Sequence, residues 1–259
     1  MKTRIHPTAI VDPKAEIDPS VDIGPFCILK DGVKIRKGTK LLSHVIVEGS
    51  TEIGEHCRIH PYTSIGFPPQ DLKYKGEKTK LVIGNNNTIR EYVSIHRASV
   101  GGDGITMIGN NNFLMAYVHI AHDCKIGNNV VMANAATLAG HVMIEDNTVI
   151  GGMVAIHQYT RIGRYAMVGG FSGIGQDIPP FMIASGARAK LYGPNTIGLK
   201  RHGLSDTTIN AIKKAYKILF REKRTMKDAI KKVQDEMAGI EEVAHLINFI
   251  EKNKRGICR

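Results

Sequence analysis

The 259-residue chain lacks the features of several protein classes. It has no tryptophan, only 6% of its residues are aromatic, and no recognition motif appears among its cations, so no nucleic-acid partner is expected. Its apolar residues come in short runs, well below the ~20 needed to cross a bilayer, and no apolar signal core follows Met1. Its four cysteines lie far apart, which excludes a disulfide scaffold. We therefore expect a soluble, cytoplasmic protein that does not insert stably into a membrane.

The net charge of +11 is concentrated in the C-terminal part of the chain. Residues 187–259 contain 17 Lys or Arg against 8 Asp or Glu, a net charge of +9, which leaves only +2 for the range 1–186. An acidic partner or substrate for the C-terminal part is one interpretation, and a solvated face of basic helices is the other.

Aliphatic residues recur at every sixth position through most of the chain. A helix would spread such positions around its whole cylinder, whereas a short strand followed by a turn keeps them on one side. The series comprises Ile5, Val11, Ile17, Ile23, Leu29, Ile35, Leu41, Val47, Ile53, Ile59, Ile65, Ile83, Ile89, Ile95, Ile108, Leu114, Ile120, Ile126, Met132, Leu138, Ile144, Ile150, Ile156, Ile162, Val168 and Ile174.

Hexads of this kind bury their aliphatic residues together only by coiling into a parallel β-helix. Three hexads per coil give a triangular prism. The break between Ile65 and Ile83 has the length of three hexads, so we expect the coil phase to be kept and residues 67–80 to form a protruding loop. A long loop on a rigid scaffold is typical of a functional segment.

Two other positions of the hexad carry small residues. Cys27, Cys57 and Cys124 stand four residues after an aliphatic position, where we interpret them as packing residues rather than nucleophiles. Glycine often follows the aliphatic residue directly, as in Ile126-Gly127, and asparagine clusters come next. Because Gly and Asn tolerate left-handed backbone angles, we expect them to form the turn of each hexad.

The repeat ends at a Pro-Pro pair, and a helical period follows. Ser205 is expected to cap a first helix, Thr225 to open a second, and a third helix is expected from about Ile240 to Asn253. The fold is therefore mainly β, with a hexapeptide-repeat parallel β-helix over residues 1–186 and a C-terminal all-α domain over residues 187–259.

Five histidines fall on one side of the predicted prism, because the hexads that carry them lie about one coil apart. An exposed ladder without chemistry, a zinc site and a general base with polar helpers are the three interpretations. The five are His96, His119, His122, His141 and His157.

The residues next to these histidines favour the general base. Asp123 directly follows His122, where a carboxylate orients the imidazole and stabilises its protonated form. One coil later Gly140 offers a backbone N–H with no side chain in the way, which suits an oxyanion in acyl transfer. The sequence therefore predicts a metal-free acyl-transfer site.

Several short motifs occur in a fixed order along the chain, and together they make the resemblance to one family specific. The sequence resembles the family of hexapeptide-repeat acyltransferases that act on UDP-N-acetylglucosamine at the start of lipid A synthesis. The motifs are Gln70-Asp71-Leu72-Lys73-Tyr74, Ile95-His96-Arg97, His119-Ile120-Ala121-His122-Asp123-Cys124, Leu138-Ala139-Gly140-His141, Ile156-His157-Gln158, Gln176-Asp177-Ile178-Pro179-Pro180 and Gly198-Leu199-Lys200-Arg201.

The resemblance implies a left-handed β-helix that assembles into a homotrimer with active sites between subunits, in the cytoplasm of a Gram-negative-type bacterium. It implies transfer of a (R)-3-hydroxyacyl group from acyl carrier protein to the sugar 3-position, without a cofactor. His122 would be the general base, Asp123 its support and the Gly140 N–H the oxyanion donor. An acidic acyl carrier protein would fit the basic C-terminal part.

The resemblance also implies the residues that contact substrate. Gly170 and Arg188 match positions at the acyl-chain end. The positions that match contacts to the nucleotide sugar or the acyl chain are Gln70, Asp71, Lys73, His96, His119, His141, His157, Gln158, Asn195 and Arg201.

Two departures from the family pattern bear on substrate detail. Ile197 and His202 replace a carboxylate and an arginine that the family often has near the nucleotide, and Arg188 replaces a histidine. A sugar nucleotide with an amine at the 3-position is therefore a second candidate acceptor. The residues also leave open a coenzyme A-dependent acetyltransferase, a zinc hydratase of the carbonic anhydrase type and a non-catalytic trimeric scaffold.

Overall fold

The structure, a computed structural model, describes residues 4–259. Most of the chain consists of very short strands joined by turns. In chain order the strands are β1 (Arg4–Ile5), β2 (Ile10–Val11), β3 (Glu16–Ile17), β4 (Asp22–Ile23), β5 (Ile28–Leu29), β6 (Lys34–Ile35), β7 (Lys40–Leu41), β8 (Ile46–Val47), β9 (Ser50–Ile53), β10 (Arg58–Ile59), β11 (Ser64–Phe67), β12 (Lys80–Ile83), β13 (Thr88–Ile89), β14 (Ser94–His96), β15 (Ile105–Ile108), β16 (Phe113–Leu114), β17 (His119–Ile120), β18 (Lys125–Ile126), β19 (Val131–Met132), β20 (Thr137–Leu138), β21 (Met143–Ile144), β22 (Val149–Ile150), β23 (Ala155–Ile156), β24 (Arg161–Ile162), β25 (Met167–Val168), β26 (Gly173–Ile174), β27 (Met182–Ser185) and β28 (Lys190–Pro194).

The strands form three sheets, which are the faces of a triangular prism and are parallel except for the last strand, β28. The first face contains β1, β4, β7, β10, β13, β16, β19, β22, β25, β27 and β28, the second contains β2, β5, β8, β11, β14, β17, β20, β23 and β26, and the third contains β3, β6, β9, β12, β15, β18, β21 and β24. Ile120 pairs with Leu138, and Leu138 with Ile156, so each strand lies above the equivalent strand of the preceding coil. The predicted coil of three hexads is confirmed.

The aliphatic position of each hexad points into the prism. From Ile23 to Ile174 these side chains are buried and form one apolar column, whereas Ile5 at the open end is 45% exposed. The thiols of Cys27, Cys57 and Cys124 are also buried in this core. Burial raises the pKa of Cys124 to about 12, so this thiol stays protonated at neutral pH. The cysteines pack, as predicted, and do not act as nucleophiles.

The prediction that glycine supplies the left-handed turn residue holds only at some corners, such as Gly32 with φ 80° and Gly38 with φ 69°. Gly127 does not have a positive φ, and its α-carbon lies so close to Asp146 of the next coil that a Cβ there would collide with the carboxylate. Asn111 does adopt the left-handed conformation, but so do aromatic and functional residues, such as Tyr92 with φ 58° and His141 with φ 61°. At position 127, glycine is thus required by the close approach of two coils.

The prediction that the coil phase is kept across the long loop is wrong. Ile65 lies on the second face, but Ile83 lies on the third face and pairs with Ile53. One hexad normally carries the chain from the second face to the third. Between Ile65 and Ile83 the chain uses the length of three hexads instead. The segment between β11 and β12 is therefore an insertion at the corner between the second and third faces. A second insertion, the 97–104 loop between β14 and β15, leaves the prism at the same corner.

The β-structure continues beyond residue 186, the predicted end of the β-helix, because β28 pairs antiparallel with β27 as far as Pro194. The helices α1 (Thr196–Arg201), α2 (Asp206–Phe220), α3 (Met226–Glu236) and α4 (Glu241–Glu251) follow. Ser205 and Thr225 accept hydrogen bonds from backbone N–H groups at the starts of α2 and α3, which confirms both predicted caps. Within residues 4–259 no helix has the length and apolar character of a membrane span.

Candidate functional site

A cavity of about 860 Å³ opens on the second face of the prism, near its C-terminal end. Much of its wall is apolar, because the outward positions of β20, β23 and β26 carry Thr137, Ala155 and Gly173, which are small and uncharged. The imidazoles of His119 and His122 lie at one end of the cavity. A long apolar groove runs from them toward the Arg188 guanidinium at the other end. Five of the predicted site residues line the cavity: Gln70, His119, His122, His157 and Arg188.

His122 and Asp123 form a hydrogen-bonded pair at the corner between the second and third faces. The distance from His122 Nδ1 to Asp123 Oδ2 is 2.8 Å. Asp123 lies in the turn after β17 in a left-handed conformation, with φ 60°, which places its carboxylate against the imidazole of its neighbour. Both side chains are largely buried, at 15% and 3% exposure. This corner therefore presents an imidazole that is oriented by a desolvated carboxylate.

Asp123 is held in place by two residues that the sequence did not single out, Ser99 at its carboxylate and Thr106 at its backbone. Ser99 donates to Oδ2 from its backbone N–H and from its hydroxyl, each at 2.9 Å, and Thr106 Oγ1 accepts from the Asp123 N–H at 2.8 Å. Burial by itself would raise the pKa of Asp123, but the hydrogen bonds from His122 and Ser99 together outweigh it and keep the pKa below its ordinary value. The carboxylate is therefore ionised at neutral pH.

Gly140 lies against the His122 ring. A Cβ at position 140 would come within 2.6 Å of His122 Cε1 and 2.7 Å of Nε2, so only glycine allows the imidazole to occupy this position. The Gly140 N–H donates to no acceptor within residues 4–259, whereas the neighbouring His141 N–H is paired with the His122 carbonyl. An unpaired backbone donor next to a base is the geometry that an oxyanion requires.

Burial lowers the pKa values of three other histidines of the site, which favours their neutral forms. Burial, with a smaller effect of His96, lowers the pKa of His119 to about 4. Burial also lowers the pKa values of His96 and His141, although the Pro68 carbonyl opposes this at His96 and Asp123 opposes it at His141. These imidazoles therefore act as hydrogen-bonding groups rather than as cations.

The insertion between β11 and β12 is fixed over the cavity by two contacts from β14 and the loop that follows it. His96 Nδ1 lies 2.7 Å from the Pro68 carbonyl oxygen. Arg97 donates to the Tyr74 hydroxyl, with Nη2 at 3.1 Å, and to the Gly66 carbonyl at 2.7 Å. These bonds hold in place the segment that carries Gln70, Asp71 and Lys73.

His122, Asp123 and His141 also bring three potential metal ligands within 4.8 Å of one another. However, Asp123 Oδ2 already accepts hydrogen bonds from His122 Nδ1 and from both donors of Ser99. Its nearest approach to His141 Nε2 is 3.9 Å. Hydrogen bonds thus occupy Oδ2, whereas Oδ1 has no partner among residues 4–259, and the metal-free site stays a prediction.

Several predicted site residues lie beside the cavity rather than in its wall. Asp71 and His141 interact electrostatically, and Lys73 donates its backbone N–H to Asp71 Oδ1. Gln158 is exposed next to His157, whose Nδ1 lies 3.2 Å from the Gln158 carbonyl. These residues belong to the same end of the prism as the His122–Asp123 pair.

Three predicted residues lie apart from His122 in this chain. Asn195 caps α1 and donates to the Tyr165 carbonyl, and Arg201 ends α1 at the surface, beyond the last strand of the first face. Gly170 lies in the turn between β25 and β26, at the corner between the first and second faces. One copy of the chain therefore does not bring Asn195, Arg201 or Gly170 into the cavity.

The comparisons with known proteins agree along the whole chain. Residues 177–258 match the family model described as UDP N-acetylglucosamine O-acyltransferase, domain 2, and residues 105–140 match the bacterial transferase hexapeptide model of six repeats. A relative from Thermodesulfovibrio yellowstonii named acyl-(acyl-carrier-protein)–UDP-N-acetylglucosamine O-acyltransferase is 69% identical over 255 residues, 98% of this chain and 99% of the relative. The relative of the same name from Syntrophobacter fumaroxidans is 48% identical, over 99% of this chain and 100% of the relative.

Solved structures share the fold. LpxA from Acinetobacter baumannii is 46% identical and superposes with a TM-score of 0.96 over 98% of this chain and 99% of that chain. UDP-N-acetylglucosamine acyltransferase from Francisella novicida is 39% identical, with a TM-score of 0.95 over 98% of this chain and 94% of that chain. These structures and the hexapeptide model confirm the predicted fold class, a left-handed parallel β-helix with a C-terminal helical region.

Proposed function

The chain belongs to the acyl-(acyl-carrier-protein)–UDP-N-acetylglucosamine O-acyltransferase family, and from this premise we propose that its cavity transfers a (R)-3-hydroxyacyl group from acyl carrier protein to the sugar 3-hydroxyl. The observation that carries the proposal is the pairing of His122 with a buried carboxylate, 2.8 Å apart, beside the unpaired N–H of Gly140. The reaction needs a base for the hydroxyl and a donor for the oxyanion, and both lie at one end of an apolar groove.

The mechanism follows from the hydrogen bonds of the pair. His122 donates its Nδ1–H to Asp123, which leaves the lone pair of Nε2 to accept the proton of the sugar hydroxyl. The hydroxyl oxygen attacks the thioester carbonyl, and the Gly140 N–H donates to the oxyanion of the tetrahedral intermediate. The C–S bond then breaks, and protonated His122 returns its proton to the leaving thiolate of acyl carrier protein. The products are the sugar ester and the free thiol.

The remaining predicted residues have roles in binding. The acyl chain extends along the groove past Ala155 and Gly173 to Arg188, whose aliphatic stem packs along the chain. The nucleotide sugar is contacted by the anchored loop and by the imidazoles of the site. These contacts come from Gln70, Asp71, Lys73, His96, His119, His141, His157 and Gln158.

Assembly is the second part of the proposal: the protein is a homotrimer with its sites between copies. A stack of aromatic and imidazole rings runs along the corner between the first and second faces, with neighbouring centroids 4.8 to 5.0 Å apart. Exposed apolar stripes of this length mark interaction surfaces. The stack consists of Phe26, His44, Tyr62, Tyr92 and Tyr117.

The positions of the separated residues indicate how three copies are arranged. If the first face of one copy packs against the second face of the next, the corner with the aromatic stack points to the symmetry axis. The same packing carries Gly170, Asn195 and Arg201 of one copy toward the cavity of its neighbour. The missing part of the site is then supplied by a second copy of the chain.

Acyl carrier protein would dock at the basic helical region. Lys213 and Lys217 are exposed on α2 and form no ion pair within residues 4–259, whereas Lys214 is paired with Glu236 at 2.7 Å. Free cations of this kind steer an acidic partner. The cytoplasmic location predicted from the sequence is part of the same proposal.

The proposal is tested by offering purified protein UDP-N-acetylglucosamine and a panel of 3-hydroxyacyl carrier proteins, with products identified by mass. We expect a single ester on the sugar nucleotide and no product from the corresponding coenzyme A thioesters. The second candidate acceptor is tested in the same assay, because Ile197 is 67% exposed and supplies no carboxylate. A kcat/KM ratio favouring the 3-amino sugar nucleotide by more than about tenfold, equivalent to ~1.4 kcal/mol, would contradict the hydroxyl assignment.

A further inference from the structure

Ser99 contacts the carboxylate of the His122–Asp123 pair from outside the cavity. It lies in the 97–104 loop, at the corner where that insertion leaves the prism, and is only 1% exposed. Its N–H and its hydroxyl donate to the same carboxylate oxygen that faces His122 Nδ1. Asp123 Oδ2 thus has three donors, whereas Oδ1 is buried without a hydrogen-bond partner in the described part of the chain.

The hydrogen bonds to the Asp123 carboxylate are concentrated on one oxygen, and this has two physical effects. Three donors on one oxygen fix the rotation of the carboxylate, and Gly102 closes the other side, since a Cβ there would lie 2.6 Å from Oδ1. The Ser99 hydroxyl also competes with the His122 Nδ1–H for the negative charge of Oδ2. Each effect acts on His122 through Asp123, although Ser99 itself does not line the cavity.

We propose that Ser99 is a positioning residue for the transfer reaction, which fixes the Asp123 carboxylate and thereby sets the orientation of His122 and its strength as a base. The inference rests on the proposed role of His122 as general base. A carboxylate free to rotate would hold the imidazole in several orientations, and a carboxylate without the Ser99 hydroxyl would hold the proton on His122 more strongly.

The other ionisable groups that act on His122 and its neighbour lie on the prism and the two inserted loops. His141 packs edge-on against the His122 ring, and His96 interacts with it electrostatically. Asp71 and Asp103 act on His141 from the two inserted loops. Since alanine and threonine carry no ionisable group, a change in pH dependence in Ser99→Ala that is absent in Ser99→Thr reports on the carboxylate rather than on a new charge.

The test compares three substitutions at Ser99 with a control. Ser99→Ala removes the hydroxyl, Ser99→Cys replaces it with a thiol that is only a weak donor, and Ser99→Thr keeps the hydroxyl. Thr148→Val is the matched control, because the Thr148 hydroxyl is also fully buried and donates to the Glu145 and Gly163 carbonyls, away from the site. Transfer from acyl carrier protein to UDP-N-acetylglucosamine is measured as kcat, KM and their pH profiles.

Ser99→Ala and Ser99→Cys are expected to lower kcat about tenfold with little change in KM, as for the loss of one hydrogen bond to a charged group. The acid limb of kcat/KM is expected to move to higher pH. Ser99→Thr should restore both values, and Thr148→Val should alter thermal stability but not the pH profile. A normal kcat and pH profile in the folded Ala or Cys variant would overturn the proposal, as would an equal loss in Ser99→Thr.

A second measurement separates this inference from the proposed function. The His122 ring signals are followed by NMR as a function of pH, without substrate, and their titration midpoint is expected to move upward in Ser99→Ala and Ser99→Cys but not in Ser99→Thr. An unchanged midpoint would overturn the role of Ser99, whatever the enzyme acts on. An active His122→Ala variant would instead overturn the general base.

Discussion

Three features of the structure position the imidazole of His122 in the site. The left-handed backbone of Asp123 places the carboxylate against it, Gly140 leaves room for its ring, and the cavity gives substrate access to it. The His122 side chain is not part of the apolar column that forms the core of the prism. Chemistry and stability therefore depend on different residues at this corner.

Substitution of His122 separates these two properties. His122→Ala is expected to lower kcat by about 10²- to 10⁴-fold, the usual contribution of a positioned general base, and to leave the thermal unfolding midpoint almost unchanged. His56→Ala is the control, since the His56 side chain is 55% exposed at another corner. Turnover of His122→Ala at the rate of the His56→Ala control would end the assignment of the base.

The site residues were predictable from the sequence where a local motif or the hexad period contains them. They were not predictable where their role depends on how a loop folds back onto the prism. His122 with Asp123 and the glycine at 140 follow from adjacency and from the period of three hexads. Ser99 was missed, because its contact with Asp123 depends on how the 97–104 loop folds back, which no periodicity describes. The only signal was the extra residue in the repeat between Ile95 and Ile108.

At the scale of elements, the hexads and the capped helices were predictable because each obeys a local rule. The inward aliphatic position and the caps at Ser205 and Thr225 are visible in short windows of sequence. The corners were not, since left-handed residues such as Tyr92 are tolerated there only because neighbouring coils hold them. The coil phase at Ile83 was misjudged because a break of three hexads is compatible with either a full coil or a single lengthened corner.

The turn between β25 and β26 is the element expected to select acyl length. A Cβ at Gly170 in this turn would lie 3.2 Å from the Gly152 carbonyl oxygen, so a side chain requires only a small adjustment. In the proposed trimer this turn faces the groove of the neighbouring copy. Gly170→Met is expected to lower kcat/KM for long-chain donors more than for short ones, because its side chain shortens the groove.

The measurement compares kcat/KM for a series of 3-hydroxyacyl carrier proteins between the variant and the native protein. Retention of native turnover on the shortest accepted donor is the internal control for folding and for the His122 pair. An identical order of preference in both proteins would show that Gly170 does not lie at the end of the groove.

For the whole molecule, the proposed site depends on the packing of copies, and this could not be predicted from residue spacing. Asn195 and Arg201 follow the last strand of the first face, whereas His122 lies at the far edge of the second. The two groups of residues are therefore separated within one copy. The sequence indicated the trimer only through the family resemblance, and the exposed aromatic stack is the structural feature that supports it.

The central claim, that one active site is built from two copies, is tested by mixing two defective variants. His122→Ala and Arg201→Ala copies carrying different tags are coexpressed, and trimers with both tags are isolated. Each variant alone is expected to be strongly impaired. In every mixed trimer one of the three sites combines an intact His122 with an intact Arg201 of the neighbouring copy, so about a third of native activity is expected.

The matched control pairs His122→Ala with Asp123→Asn, because both defects lie in the same half of the site and no mixed trimer regains an intact one. The decisive measurement is acyl transfer to UDP-N-acetylglucosamine by the dual-tagged His122→Ala and Arg201→Ala trimers. Activity near a third of the native value, with none in the control pair, is the result predicted here. Dual-tagged trimers no more active than either parent variant would contradict a site shared between copies.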